Sequence, residues 1–328
     1  MAVYTEVTDE ALISYLKQYD IGDLVSFKGI AEGVENSNYL LATQNGRYIL
    51  TLYEKRVAEA DLPFFLGLME HLAQSGLVCP LPIHMKTGEA LGRLAGRPAA
   101  IISFLDGFSV RRPTAVHCGE LGKALAELHL AGDGFSNERK NALDLAAWQP
   151  LYDKSSDRAD EVITGLGAMI QAELDYLKQS WPQDLPAGVI HADLFTDNVF
   201  FLQNRISGII DFYFACNDLF AYDIAICLNA WCFEPDWSFN TTKARALFKS
   251  YIDVRPMTAN EFSNMPVLCR GASMRFLLTR LFDWLNVPKG AMVTPKDPGE
   301  YIAKLKFHQG IKDVALYGID PSTAKHKS

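Results

Sequence analysis

The sequence predicts an α+β protein of two unequal lobes, a small one built on an antiparallel sheet with one main helix and a larger, mostly helical one. Three observations carry this expectation. At 328 residues the chain exceeds the size at which one hydrophobic core stops growing, so two lobes and a cleft between them are expected. Up to Phe104 the chain holds short apolar runs separated by turn signals, chief among them Asn45-Gly46, the pattern of hairpins. Beyond Leu105-Asp106-Gly107 the apolar residues recur mainly at helical spacing.

In order, Thr8 can cap a helix whose Ala11, Leu12, Tyr15 and Leu16 share one face. Strands are expected over 25–30, 39–43 and 48–53, the last two flanking Asn45-Gly46. Leu62 to Ser75 reads as a helix closed by Gly76, followed by a second hairpin with turns near 86–89 and 95–98 and an apolar strand over 99–104. The small lobe is therefore set at 1–102, a hinge at 103–107 and the large lobe at 108–328. Within the latter, helices are expected over 115–130 and 166–179 and at several places between 221 and 317. A short β region interrupts them, with Gly188-Val189-Ile190 leading into His191 and a hairpin of 199–202 and 206–210 turning at Asn204-Arg205.

The composition, 49% hydrophobic and 21% charged, belongs to a folded chain and excludes disorder as a description of the whole; only the polar tail 322–328 reads as disordered. A net charge of −8 argues against a nucleic-acid partner, which calls for a basic face. A small or magnesium-bound partner fits better. Cysteines 79, 118, 216, 227, 232 and 269 show no metal-like spacing and read as buried reduced thiols. The N-terminus lacks the pattern of a secretory signal, and no apolar run reaches the ~18 residues of a membrane span. A cytoplasmic protein without a membrane partner is expected.

The chemistry gathers in His191-Ala192-Asp193-Leu194-Phe195-Thr196-Asp197-Asn198-Val199 and in Asp211 at the end of the return strand. A hairpin holding Asn198 and Asp211 brings both side chains to one end, where their oxygens can share a hard cation with the oxygens of ATP. Asp193 is left to orient a hydroxyl and take its proton. Each polar residue alone can instead cap a turn; the ordered set in strand context argues for phosphoryl transfer.

The phrases HADLFTDNVF and GIIDF resemble the catalytic and metal-binding loops of the aminoglycoside phosphotransferase and choline kinase superfamily, a branch of the protein-kinase-like fold. The resemblance covers nearly the whole chain in order. It implies an ATP- and Mg2+-dependent kinase with Asp193 as the catalytic base, Asn198 and Asp211 as metal ligands, and Ser103 to Leu105 as the hinge whose backbone meets adenine. Asp223, in the segment after Asp211, is similar to the residue that braces the catalytic loop; it can equally cap a helix starting near Ile224. His191 in this loop type fixes backbone rather than exchanging protons. The turn Gly33 to Asn38 stands where kinases carry a glycine-rich loop, so Ser37 and nearby amides can cover the phosphates, though an ordinary hairpin turn reads the same.

Two departures from the kinase pattern narrow the family. Thr51 occupies the position of the phosphate-binding lysine, and the position of its glutamate partner falls near Phe65, with Lys55, Arg56, Glu59 and Asp61 the charges close by. Loss of both partners is easier to accommodate than loss of one, which would leave a buried charge unpaired. Together with RYILTLYE and MRFLLTRLFDWL, this resembles the branch of the superfamily whose acceptor is the hydroxyl of L-homoserine.

An amino-acid acceptor needs a positive fork for its carboxylate. Arg275 and Arg280 are the candidates, with Asn229 and Trp231 as further pocket residues. Arg280 can alternatively pair with Asp283, and Trp231 can be core. His129 reads as packed at the end of an apolar helix. Sibling kinases acting on an aminoglycoside, choline or methylthioribose, and an inactive kinase fold that only binds ATP, are the competing readings; the sequence does not address oligomeric state.

Overall fold

The structure, a computed structural model, describes residues 5–30, 36–54, 57–287 and 295–320. Gly33 to Glu35 of the presumed phosphate loop, Lys55, Arg56 and the tail 322–328 fall outside them.

Helix α1 (Asp9–Leu16) starts at Thr8, whose hydroxyl accepts the Ala11 amide at 3.3 Å. A five-stranded antiparallel sheet follows, made of β1 (Leu24–Gly29), β2 (Ser37–Thr43), β3 (Gly46–Leu52), β4 (Leu91–Leu94) and β5 (Arg97–Ser103) in the spatial order β1-β2-β3-β5-β4. Strand alternation sorts its residues onto two faces. Tyr39, Leu41, Leu50, Leu52, Ala99 and Ile101 form a core with Leu12, Tyr15 and Leu16 of α1. The other face carries Asn38 opposite Thr51 and Thr51 opposite Ala100.

On that second face lies α2 (Leu62–Gln74), and it does more than cover the sheet. Its Leu62, Phe65, Leu68 and Leu72, together with Tyr53 and Ala100, are continuous with the core of the helical part. The sheet therefore faces two cores, and α2 is continuous with the larger one.

The helical part contains α3 (Ala115–Ala131), α4 (Leu145–Asp153), α5 (Leu166–Ser180), α6 (Phe220–Trp231), α7 (Thr241–Val254), α8 (Ala259–Leu285) and α9 (Gly299–Gln309). Helix α4 carries Pro150 inside it, which hides it from a reading of helical pattern. Between α5 and α6 stand β7 (Ala187–Ile190), β8 (Val199–Leu202), β9 (Arg205–Ile209) and β10 (Cys216–Leu219). Strand β10 pairs antiparallel with β7, and β8 pairs with β9 and with β6 (Phe108–Ser109). Helix α6 begins at Phe220 rather than near Ile224, so Asp223 lies inside its first turn and is not its cap.

Helices α3 and α7 meet at Gly122, where an added Cβ would fall 2.0 Å from the Leu247 carbonyl oxygen. Since backbone cannot yield like a flexible side chain, Gly122→Ala is expected to lower stability by about 1–3 kcal/mol, read in urea unfolding. All six cysteines are free and buried, as their scatter suggests. Among the described residues no helix is long and apolar enough to cross a membrane.

Candidate active site

Strand β7 delivers the chain into a loop whose backbone is strained and held from two sides. Ala192 has φ 62°, a left-handed conformation that costs free energy in an alanine unless its surroundings enforce it. They do. The fully buried Asp223 carboxylate accepts the Ala192 amide at 2.9 Å and the His191 amide at 2.8 Å, while the Arg275 guanidinium donates to the Ala192 carbonyl. Trp231 adds a third tie, its indole N–H donating to the Leu194 carbonyl at 2.8 Å.

Burial alone would raise the Asp223 carboxyl; donation from His129 at 3.2 Å, the nearby imidazoles and the His191 amide outweigh it and hold the group below the usual carboxylate range. His129 in turn bonds Tyr251 at 2.7 Å, so it is a member of a buried polar chain and not simply a packed ring. His191 bonds backbone on both sides of its ring. Its Nε2 faces the Ile210 carbonyl at 3.0 Å and its Nδ1 accepts the Asp193 amide at 3.3 Å, joining the loop to the end of β9. Burial lowers its pKa, so the ring is neutral and donates from Nε2.

Asp193 emerges from this frame with a side chain 19% exposed and Arg275 Nη2 3.9 Å away. Burial pushes its carboxyl up to about 6, and Asp197 pushes the same way while Arg275 and Lys296 pull it down. Such a group is ionised at neutral pH yet close enough to it to accept a proton.

Asn198 Nδ2 donates to the Asp193 carbonyl at 2.8 Å, which turns its amide oxygen the other way, and the Asn198 carbonyl accepts the Ile210 amide at 3.0 Å. The hairpin thus places Asn198 beside the residue preceding Asp211. Asp211 is exposed and lies just past β9 at φ 66° and ψ 62°, a conformation aspartate tolerates better than most residues. One amide oxygen and one carboxylate suit a hard cation that brings phosphate and water as its remaining ligands.

On the nucleotide side the expected residues separate. Thr51 is buried and its hydroxyl donates to Asn38 Oδ1 at 2.8 Å. Ser37, one residue before Asn38 on β2, falls on the opposite face. Its fully buried hydroxyl donates to Glu54 at 2.8 Å and accepts the Thr5 amide at 3.0 Å. Strand alternation thus turns Ser37 away from the phosphates and Asn38 toward Thr51, which corrects the expectation for Ser37. Ser103 is engaged by Leu81 through both its amide, at 2.8 Å, and its hydroxyl, at 2.9 Å. Leu105 lies against Gly208, where a Cβ would come within 2.5 Å of its side chain, so the segment expected to be the hinge rests on β9.

On the acceptor side, Arg275 is buried against Phe276, its guanidinium 4.5 Å from the ring centroid. Arg280 does not pair with Asp283; it pairs with Glu300 at 2.5 Å and covers the Tyr301 ring at 4.4 Å. Glu300 also binds Lys304, which reaches on to the Asn229 carbonyl at 2.6 Å. Asn229 itself is fully buried, donating to Ala225 and Cys269 and accepting from Ser273 and His308. Every polar atom of Asn229 is used inside the core, which corrects its expected place in the pocket. Rings step from Phe195 to Phe276 at 4.9 Å and on to Tyr301 at 5.3 Å. Among the described residues the buried Tyr301 hydroxyl and Arg275 Nε have no hydrogen-bond partner.

Tyr301, Glu300, Lys304 and Lys296 escaped the sequence reading because they belong to no motif. The i, i+4 spacing of Glu300 and Lys304 was the one available signal.

The phosphotransferase enzyme family matches residues 26–257. The chain is 62% identical to homoserine kinase of Methylobacterium nodulans over 321 residues, covering 98% of this chain and 100% of that one. It is also 62% identical to homoserine kinase of Bradyrhizobium diazoefficiens, covering 98% and 99%. Among solved structures it resembles the amicoumacin kinase hAmiN in complex with AMP-PNP, Ca2+ and Ami, with a TM-score of 0.68 at 15% identity over 93% of this chain and 94% of that one. A spectinomycin phosphotransferase in complex with ADP and its antibiotic gives 0.66 at 15% identity over 97% and 99%. At that identity the likeness concerns the two-lobed kinase-like fold. The chain belongs to the phosphotransferase enzyme family and, within it, to the homoserine kinases, ATP-dependent enzymes that phosphorylate an alcohol.

Proposed function

We propose that this chain transfers the γ-phosphoryl group of ATP to the side-chain hydroxyl of L-homoserine, giving O-phospho-L-homoserine and ADP on the route to threonine. The observation that carries the reading is the Asp193 carboxylate, held beside Arg275 and Asn198 with a carboxyl raised to about 6. The acceptor oxygen bonds to the γ-phosphorus, the bond from that phosphorus to the bridging oxygen of ADP breaks, and the hydroxyl proton passes to Asp193. Asn198 and Asp211 would hold magnesium, which when bound neutralises charge on the phosphate oxygens.

Residues 1–102 form the nucleotide lobe in this reading, 103–107 the hinge and 108–328 the catalytic and acceptor lobe. Thr51 and the backbone around Ser103 and Leu105 face the nucleotide. The acceptor's carboxylate and ammonium are matched by Arg275 and by the Arg280, Glu300 and Lys304 group, which carries more positive than negative charge. A choline or aminoglycoside cation calls for the reverse balance. Free buried cysteines support a cytoplasmic, reducing location.

A coupled assay of ADP release with L-homoserine, 3-amino-1-propanol, choline, methylthioribose and an aminoglycoside tests the acceptor. L-homoserine is expected to turn over, and 3-amino-1-propanol, which lacks its carboxylate, to fall by at least ~10²-fold in kcat/KM. Turnover of another alcohol with none of L-homoserine would overturn the assignment.

A further inference from the structure

Protein kinases assemble their nucleotide site with a lysine on the third strand paired to a glutamate of the neighbouring helix, and both must be in place for activity. Here those positions are Thr51 on β3 and Phe65 on α2, both buried, so neither charge exists. The space between them is filled from the other lobe.

Tyr213, two residues past Asp211, packs edge-on against Phe65 with ring centroids 5.7 Å apart and against Tyr53, just past β3, at 5.5 Å. Its hydroxyl lies 3.3 Å from the Tyr53 hydroxyl. Thr51 donates to Asn38 on the same face. The Tyr213–Tyr53 pair therefore joins the segment beside Asp211 to the end of β3.

Arg139 makes a second link on the outer side of α2. Its guanidinium covers the Phe65 ring at 5.0 Å, pairs with Asp61 at the start of α2 at 2.7 Å, and donates to the Ala215 carbonyl at 3.1 Å. Helix α2 is thus fastened to the 211–215 turn by an aromatic contact within and an ionic one without. Aromatic pairs of this geometry and a partly buried guanidinium–carboxylate hydrogen bond are each favourable beyond the area they bury.

We propose that Tyr213 and Arg139 are positioning residues that replace the lysine–glutamate pair, locking β3 and α2 to the Asp211 turn so that the nucleotide site is assembled without a charged link between β3 and α2. This rests on the reading of Asp211 as a magnesium ligand. Asp211→Asn tests that reading separately, through the magnesium dependence of nucleotide binding, so the two can fail independently.

The experiment measures affinity for magnesium AMP-PNP without acceptor, the KM values for ATP and acceptor, kcat, and thermal stability. Tyr213→Leu is expected to weaken the nucleotide about tenfold and raise its KM similarly, leaving the KM of the acceptor in place. Tyr213→Phe should restore most of this. Thr51→Lys should bind nucleotide no better than the parent, because the new ammonium enters an aromatic pocket without a carboxylate partner. Unchanged nucleotide affinity in folded Tyr213→Leu, or tighter binding by Thr51→Lys, would overturn the proposal. If Tyr213→Leu does not fold, Tyr213→Phe combined with Arg139→Gln decides between the same two results.

Discussion

Asp193→Asn is expected to lower kcat by at least ~10²-fold, the scale of a lost general base. The loss should appear with little change in the KM of ATP, since Asp193 is placed at the acceptor hydroxyl. Its titration gives a second readout. With the carboxyl raised to about 6, the proton-accepting form disappears below that pH, so the parent's kcat/KM should fall on acidification with an apparent pKa near 6 and be flat above it. For stability the sign is opposite. A carboxyl whose folded pKa lies above its unfolded value contributes stability below about pH 4 that is gone above its folded pKa. Asp193→Asn should therefore not lower the unfolding midpoint at pH 8. An inactive ATP-binding module would show neither the rate loss nor the pH profile.

Asp223→Ala is expected to damage both stability and rate. The carboxylate is fully buried, accepts from the backbone amides of His191 and Ala192, and faces His129. Removing it strands those donors and frees the strained Ala192 backbone, so about 3–5 kcal/mol of unfolding free energy should be lost in urea titration. The protein that remains folded should turn over slowly, because the peptide carrying Asp193 no longer has a fixed orientation. The folded pKa of Asp223 is depressed, so its contribution is present above the unfolded pKa near 4 and is lost as pH falls through the folded value. The deficit of the variant should accordingly shrink in acid. A variant with parental stability at pH 7 and parental kcat would refute the bracing role.

The five-stranded sheet, the 199–210 hairpin and most helices were legible because each is a local pattern: Asn45-Gly46 between apolar runs, and 3.6-residue spacing thereafter. Helix α4 was missed because Pro150 breaks its pattern, and β10 because its pairing with β7 is not local. The start of α6 was misplaced by four residues, since no side chain caps it.

At the candidate site, the sequence by itself offered the candidate reacting set. Asp193, Asn198 and Asp211 come from one loop and one hairpin, and short-range geometry brings them together. It also showed that Thr51 and Phe65 stand where a charged pair is usual. Only the tertiary structure decided what surrounds them. Arg275 comes from α8 to hold the Ala192 carbonyl, Glu300 rather than Asp283 takes Arg280, and Asn229 is consumed in the core. Tyr213 packs against Tyr53 and Phe65, both more than a hundred residues earlier in the chain. Contacts between residues tens to hundreds apart leave no periodicity along the chain; packing alone selects them.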